Sequence, residues 1–436
     1  MLHTRPAQKR AGTAFLLLYL ALRGLLLWEP GYADDLGAYR RWAMGAVSAG
    51  LPRIYRATDI DYPPLYAYML EPLGRAYAWL SPGAGTRKGG DPAIWTALVK
   101  LPPLAFDLAT AALLFWIGMR IDARDGPHSS WRFMLPGVYL ANPAVVFDGG
   151  YWGHPDSILG FFVLAAFVAV ALGRAVPAFA LLTLGALMKP LAAPFFPLLA
   201  AFAWRREGLS AVVRGVLASA AMGALVFAPF VWGGDAAFVF ARVFGDLDRM
   251  PFTAVNAHNL WGLVAPWQSA EQPIAFFLTP TVIGLGLFAI AYAATLAAVL
   301  RSRDRTELAT PDAALSAAFV AASFFIFATH MHENHLFLAL PLLAAALPLG
   351  RPWPSVFVAL SVAVLLNLVL HDPVIPGRPP FSWGGLIDLA RPSHGRSFFL
   401  LEWLSVQAAT VFTLVAYVGF AWALWARVSA EREPER

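Results

Sequence analysis

Four short stretches of this chain gather side chains suited to acid–base or anion-binding chemistry. The first is Asp34-Asp35-Leu36-Gly37-Ala38-Tyr39-Arg40-Arg41-Trp42, directly after the first apolar run. A general base must be held within reach of the proton it takes. A carboxylate just outside a membrane helix, Asp35 above all, is so held; N-capping of the next helix by Asp34 or Asp35 is the structural alternative. The second is Asp61-Tyr62-Pro63-Pro64-Leu65. Its Pro-Pro step sets the entry of a helix, because proline suits the first turn, and a purely structural role fits it too. The third runs from Asn142-Pro143 to Tyr151-Trp152-Gly153-His154-Pro155-Asp156, a tight polar turn between two apolar runs. It also reads as an interfacial turn with an aromatic anchor. The fourth is His330-Met331-His332-Glu333-Asn334-His335. Imidazoles can donate hydrogen bonds to a phosphate; an interfacial polar cap is the plainer alternative. His and Glu also ligate zinc, but His332 and His335 are three apart, not the four of the His-Glu-x-x-His zinc helix. A divalent metal would be accepted by these side chains and is not expected.

The elements that must position these residues follow from composition. The chain has 436 residues, 59% hydrophobic and 14% charged, where a soluble domain carries about 45–50% and about 25%. Long apolar runs make the difference, and many reach the roughly 20 residues that cross a bilayer. The pattern predicts an all-α polytopic membrane protein, a single bundle of about 12 (range 10–13) transmembrane helices. Predicted spans are residues 12–29, 94–118, 133–147, 157–173, 176–188, 190–204, 211–232, 274–300, 312–329, 335–350, 353–371 and 398–426. The pair 176–188 and 190–204 meets at Lys189-Pro190, so it also fits a re-entrant pair or one kinked helix. The start of the chain reads Arg5, Lys9, Arg10 and then an apolar run with no small-residue cleavage site, a retained first helix rather than a cleaved signal peptide.

Orientation follows from short basic segments. Arg120, Arg124 and Arg132, then Arg205 and Arg206, then Arg301, Arg303 and Arg305 fall on one side with both termini, which the positive-inside rule makes cytoplasmic. Residues 30–93, 233–273 and 372–397 then lie outside. Within 34–50, Asp35, Leu36, Tyr39, Trp42, Ala43 and Ala46 recur at helical spacing, and within 64–80 Leu65, Tyr68, Met69, Leu73, Tyr77 and Leu80 do so. Both read as interfacial helices with apolar faces in the headgroup region, joined onward by a flexible connector, Gly83 to Gly90. The net charge of +5 is met by anionic lipid, so no nucleic-acid partner is expected. The absence of cysteine excludes disulfides, thiolate nucleophiles and Cys-held metals. The Ala- and Arg-rich composition points to a prokaryotic plasma membrane.

Most histidines (His154, His258, His330, His332, His335, His371, His394) map to the outer side, with Asp34, Asp35, Asp59, Asp61, Asp148, Asp156, Asn259 and Glu333. Charges deep in spans are few: Arg23, Lys100, Asp107 and Lys189. An ion-coupled transporter keeps ionisable groups near mid-membrane, whereas an enzyme acting on a lipid headgroup needs them at the interface. The distribution favours the enzyme. The rival readings are a transporter or flippase of a lipid-linked sugar or anion, with Lys100 and Asp107 as functional charges rather than a buried pair or snorkelling groups, and a membrane acyltransferase with His332 as base.

In this order the residues resemble the GT-C superfamily of membrane glycosyltransferases, and most of all the dolichyl-phosphate-glucose glucosyltransferases and their polyprenyl-phosphate relatives. That group shows a Gly-Asp-Phe-Glu-Ala-Gln-Arg-His-Trp type segment after its first helix, matched here at Asp35, Ala38, Arg40 and Trp42. Asp-Tyr-Pro-Pro-Leu follows, here Asp61 to Leu65. Next come Asn142-Pro143, the Gly153-to-Asp156 turn with His154 where Gln is common, Lys189 before a helix pair, Asn259 to Trp261, and His330 to Leu343. The likeness covers roughly residues 30–345. It implies a GT-C-like bundle and an inverting hexosyl transfer from a polyprenyl- or dolichyl-phosphate sugar to a glycolipid or glycan acceptor, in contact with membrane lipid and without a metal cofactor. By the same likeness Asp35 is the general base, and His330 and His332 receive the donor phosphate, with Lys189 assisting. Asp34, Arg40, Asp61, Tyr62, His154, Asp156, Asn259, Trp261 and Glu333 are then substrate-binding candidates.

Overall fold

Proline and glycine punctuate the apolar runs more often than their length suggests, and the helices break accordingly. The computed structural model describes residues 6–85, 89–126, 129–244, 251–301, 310–370 and 396–430. Arg303, Arg305, His371, His394 and most of the predicted third outer segment lie outside them. The chain divides into two units, Met1–Asp248 and Arg249–Arg436.

In the first unit the helix Pro6–Leu26 is followed by Ala33–Ala49 and Pro64–Leu80. The last two are the predicted interfacial helices, but their apolar stripes are spent on each other and the surrounding core rather than on headgroups. Leu36, Tyr39, Trp42, Ala43 and Ala46 share one buried cluster with Tyr66, Ala67, Leu70 and Tyr77; of the stripe expected in the second helix only Tyr77 is fully buried, while Leu65, Tyr68, Met69 and Leu73 pack half-buried against the cluster and Leu80 is exposed. The approach is close enough to require Gly74, where a Cβ would stand 2.6 Å from the Ala43 carbonyl oxygen. Next, Pro92–Val99 and Leu101–Asp125 form one 34-residue apolar stretch that bends at Lys100.

The charges read as deep in spans do not form the Lys100–Asp107 pair considered from sequence. Asp107 pairs instead with Arg23 of the first helix and accepts a hydrogen bond from Tyr139 at 3.0 Å. Lys100 donates to the carbonyls of Leu26 and Glu29 at 2.8 and 2.7 Å, satisfying the acceptors that a helix end leaves open.

The predicted span 133–147 is a helix of ten residues, Trp131–Leu140. It stops because Pro143 favours extended backbone at the residue before it; Asn142 is extended and its side chain caps the next turn. The helices Asp156–Ala171, Ala175–Met188, Phe195–Glu207, Leu209–Trp232 and Ala236–Phe244 complete the unit. The Lys189-Pro190 junction is a break with a single 3₁₀ turn, Pro190–Ala192.

In the second unit, Ala254–Val255 pairs in parallel with Met331–His332. The helices are Pro280–Arg301, Thr310–Phe327, the short succession from His335 to Leu349, Trp353–Val369 and Arg396–Ala430. Thr310–Phe327 is the central helix of this unit, 67% buried over its apolar window against 17% for Pro280–Arg301.

Among the described residues, five helices are long and apolar enough to cross a membrane: Pro92–Asp125, Leu209–Trp232, Pro280–Arg301, Thr310–Phe327 and Leu404–Ala430. They mark an all-α, multi-pass membrane protein, but not the predicted twelve clear spans. Asp156–Ala171, Ala175–Met188, His335–Leu349 and Trp353–Val369 are apolar but shorter, and the first helix carries Lys9, Arg10 and Arg23.

Candidate functional site

Asp35 lies in the first turn of Ala33–Ala49 and is half-buried. The Trp152 indole N–H donates to its Oδ2 at 2.8 Å, across 117 residues of sequence. Gly31 makes the approach possible: its φ is +65°, and a Cβ there would stand 2.7 Å from the Trp152 carbonyl oxygen.

From Trp152 the contacts run on to other predicted residues of the first unit. The Trp152 and His154 rings are 6.2 Å apart. His154 Nε2 is 3.4 Å from the Tyr62 hydroxyl, and its Nδ1 is 3.2 Å from Asp156 Oδ2. Lys189 donates to Asp156 Oδ1 at 2.9 Å and lies 5.8 Å from the centre of the Tyr62 ring. Asp35, Tyr62, His154, Asp156 and Lys189 thus form one connected group. Tyr39, Tyr62 and Tyr66 wall it, with ring centroids 4.7 to 6.2 Å apart. Burial pushes all three phenols up, and the Asp35 charge adds to the push.

The connection depends on the turn after Asn142. Asn142 Oδ1 accepts from Ala144 N at 3.0 Å, and the chain then winds through a π-helical turn, Val146–Trp152. Such turns are rare and concentrate at functional sites. Gly153 closes it in the left-handed region, φ 87°, where glycine carries no Cβ penalty. This turn also places Asp148, a residue absent from the predicted site. Its side chain is fully buried, and among the described residues no hydrogen bond reaches either carboxylate oxygen. The signal in the sequence was the Asp148-Gly149-Gly150 step just past the predicted span 133–147.

Electrostatics separates the two buried carboxylates. Burial pushes Asp148 well up, and the neighbouring Asp156 charge adds to it. Burial acts the same way on Asp156, but His154 and Lys189 overcome it and hold that carboxyl below the ordinary range. The partners of Asp156 thus favour its ionised form, whereas burial disfavours the charge on Asp148. Among the described residues, one group of three has ligand atoms within 4.8 Å of one another, as a metal site would need: Asp148, His154 and Asp156.

Asp34 and Asp61 are exposed and Arg40 is half-buried. Trp42, which matched the family segment, donates to Asp59 at 2.8 Å.

The second unit holds the other candidates. Asn259 and Trp261 turn their polar atoms to backbone. Asn259 Oδ1 accepts from Gly262 N at 2.9 Å, and its Nδ2 donates to the Phe325 carbonyl at 3.0 Å. Trp261 donates to the Phe327 carbonyl at 2.6 Å. Both therefore anchor the end of Thr310–Phe327, from which the histidine segment departs. His330 lies in the left-handed region, φ 62°, a conformation that costs a non-glycine residue about 1–3 kcal/mol. Its Nδ1 is 2.9 Å from the Thr329 hydroxyl. His332 is held by the parallel ladder to Val255, and its backbone N–H donates to His335 Nδ1 at 3.2 Å. Glu333 is buried, whereas His330 and His332 are half-buried. No protein-family model matches this chain, and no curated protein is significantly similar to it.

Proposed function

We propose that this chain is an inverting glycosyltransferase that moves a hexose from a polyprenyl- or dolichyl-phosphate sugar to a glycolipid or glycan acceptor at the non-cytoplasmic face. The observation that carries the reading is the state of Asp35. One of its oxygens is fixed by the Trp152 indole, and the carboxylate borders a group of tyrosines, His154, Asp156 and Lys189. A base held on one oxygen keeps the other for a proton in flight.

In the proposed step an acceptor hydroxyl gives its proton to Asp35 as its oxygen bonds to the anomeric carbon. The bond from that carbon to the phosphate oxygen breaks on the opposite face, and the lipid phosphate leaves with the electron pair. Such a leaving group needs its charge stabilised more than it needs a proton. We assign that role to Lys189, the cation of the same group. Arg40 and Asp61, half-buried and exposed, suit sugar hydroxyls, since they offer donors and an acceptor.

The transporter reading is weakened by Asp107 and Lys100, which are committed to Arg23 and to two backbone carbonyls. Purified protein in nanodiscs, given a synthetic polyprenyl-phosphate hexose and a glycolipid acceptor, separates the two. Release of lipid phosphate with sugar transfer supports the transferase, and sugar movement without bond cleavage overturns it. The lipid-linked glycans of a deletion strain then name the sugar.

A further inference from the structure

The charges around the π-helical turn pair off and leave one over. Asp107 is matched by Arg23 and Asp156 by Lys189. Among the described residues Asp148 has no such ion pair, is fully buried, and receives no hydrogen bond on either oxygen. A buried carboxylate in this position is expensive whether ionised or not. The ion has no ion pair of its own, only the longer-range charges of Lys189 and Arg23, and the neutral acid would still bury a polar group.

The neighbours of that carboxylate are a metal-binding set. Ligand atoms of Asp148, His154 and Asp156 all lie within 4.8 Å of one another. His154 Nδ1 and Asp156 Oδ2 are already 3.2 Å apart, the edge expected of two ligands on one cation with bonds of about 2.0–2.1 Å. Lys189 engages Asp156 through Oδ1 and leaves Oδ2 to face His154. The other imidazole nitrogen, Nε2, is 3.4 Å from the Tyr62 hydroxyl, the outer hydrogen bond that orients a metal-bound histidine and fixes its tautomer. Gly149 and Gly150 keep the turn tight against the first helix, where Cβ atoms would stand 3.3 and 3.1 Å from the Arg23 guanidinium.

We propose that Asp148, His154 and Asp156 form a binding site for a divalent first-row cation, Zn²⁺ by preference. Imidazole nitrogen and carboxylate oxygen are both zinc ligands, and three of them leave a fourth position open; zinc outranks manganese on nitrogen-containing sites. The cation supplies the charge that Asp148 lacks and holds the turn carrying Trp152, and through it Asp35. The site is independent of the transferase reading, because its readout is metal content.

The test uses full-length protein in nanodiscs, freed of any affinity tag, stripped with chelator, loaded with ZnCl₂ and dialysed. Metal is counted by mass spectrometry. The histidines at 330–335 can retain zinc of their own, so the readout is the difference between wild type and Asp148→Asn. Wild type retains one equivalent more than the variant, and Zn²⁺ raises the wild-type melting temperature. Asp148→Asn binds more than about 100-fold more weakly while staying folded, since the amide removes a buried charge without changing shape. Tyr62→Phe, which removes only the outer hydrogen bond, weakens binding about tenfold. Equal zinc in wild type and Asp148→Asn overturns the proposal and leaves a proton or a water as the partner of Asp148. Retention by wild type that is insensitive to His154→Gln overturns it as well.

Discussion

Asp35 and Trp152 are joined by a single hydrogen bond, and that bond carries a prediction. Trp152→Phe keeps the ring in the aromatic wall but removes the donor. A hydrogen bond to a charged group is worth about 1.5–3 kcal/mol, so the variant loses roughly tenfold or more in kcat with little change in KM. A change confined to KM would make the tryptophan a substrate contact instead. The residues of this group were legible in the sequence as separate clusters: Asp35 after the first helix, Tyr62 before a Pro-Pro step, His154 and Asp156 in a turn, and Lys189 at a helix junction. Their meeting was not, because nothing in local spacing encodes a hydrogen bond across 117 residues. Asp148 was passed over for a definite reason. It lay just past a predicted span that in fact ends at Leu140, so its place in a π-helical turn had no signature in hydropathy.

At the scale of elements, apolar periodicity identified Ala33–Ala49 and Pro64–Leu80 but not what they pack against. Their stripes met each other through Gly74, a small residue whose role is visible only once the partner helix is in place. Gly74→Ala drives a Cβ toward the Ala43 carbonyl and destabilises the protein by about 1–3 kcal/mol, the usual size of overpacking. Gly223→Ala, whose Cβ would meet nothing within 4 Å, is neutral or stabilising by up to about 1 kcal/mol. Thermal unfolding of the two variants in nanodiscs checks the contrast. The Arg23–Asp107 pair ties the first helix to Leu101–Asp125. Asp107→Ala alone strands a buried cation, at a cost of about 3–5 kcal/mol, whereas Arg23→Met with Asp107→Leu together recovers most of that loss. Additive losses in the double variant would mean that the two charges do not act as a pair.

For the whole molecule, composition alone pointed to the class, an all-α membrane chain, and among the described residues five helices are long and apolar enough to cross a membrane. The number of spans was overread because hydropathy windows join segments that proline, glycine and Asn142 divide. Sidedness rests on the arginine-rich loops and is directly measurable, since the chain has no cysteine to remove first. Ala57→Cys, exposed between the two helices of the first loop, is predicted to react with a membrane-impermeant maleimide in intact cells. Arg124→Cys is predicted to react only after lysis. The reverse pattern would turn the assignment over and put the Asp35 group on the cytoplasmic side.

The proposed chemistry depends on Asp35 taking a proton, and one comparison addresses that directly. Initial rates of sugar transfer from a polyprenyl-phosphate hexose are measured for wild type and Asp35→Asn, with matched melting temperatures showing that both are folded. Loss of a general base lowers the rate about 10²–10⁴-fold, and the wild-type product carries the inverted anomeric configuration. A folded Asp35→Asn protein that transfers sugar at the wild-type rate would contradict the account.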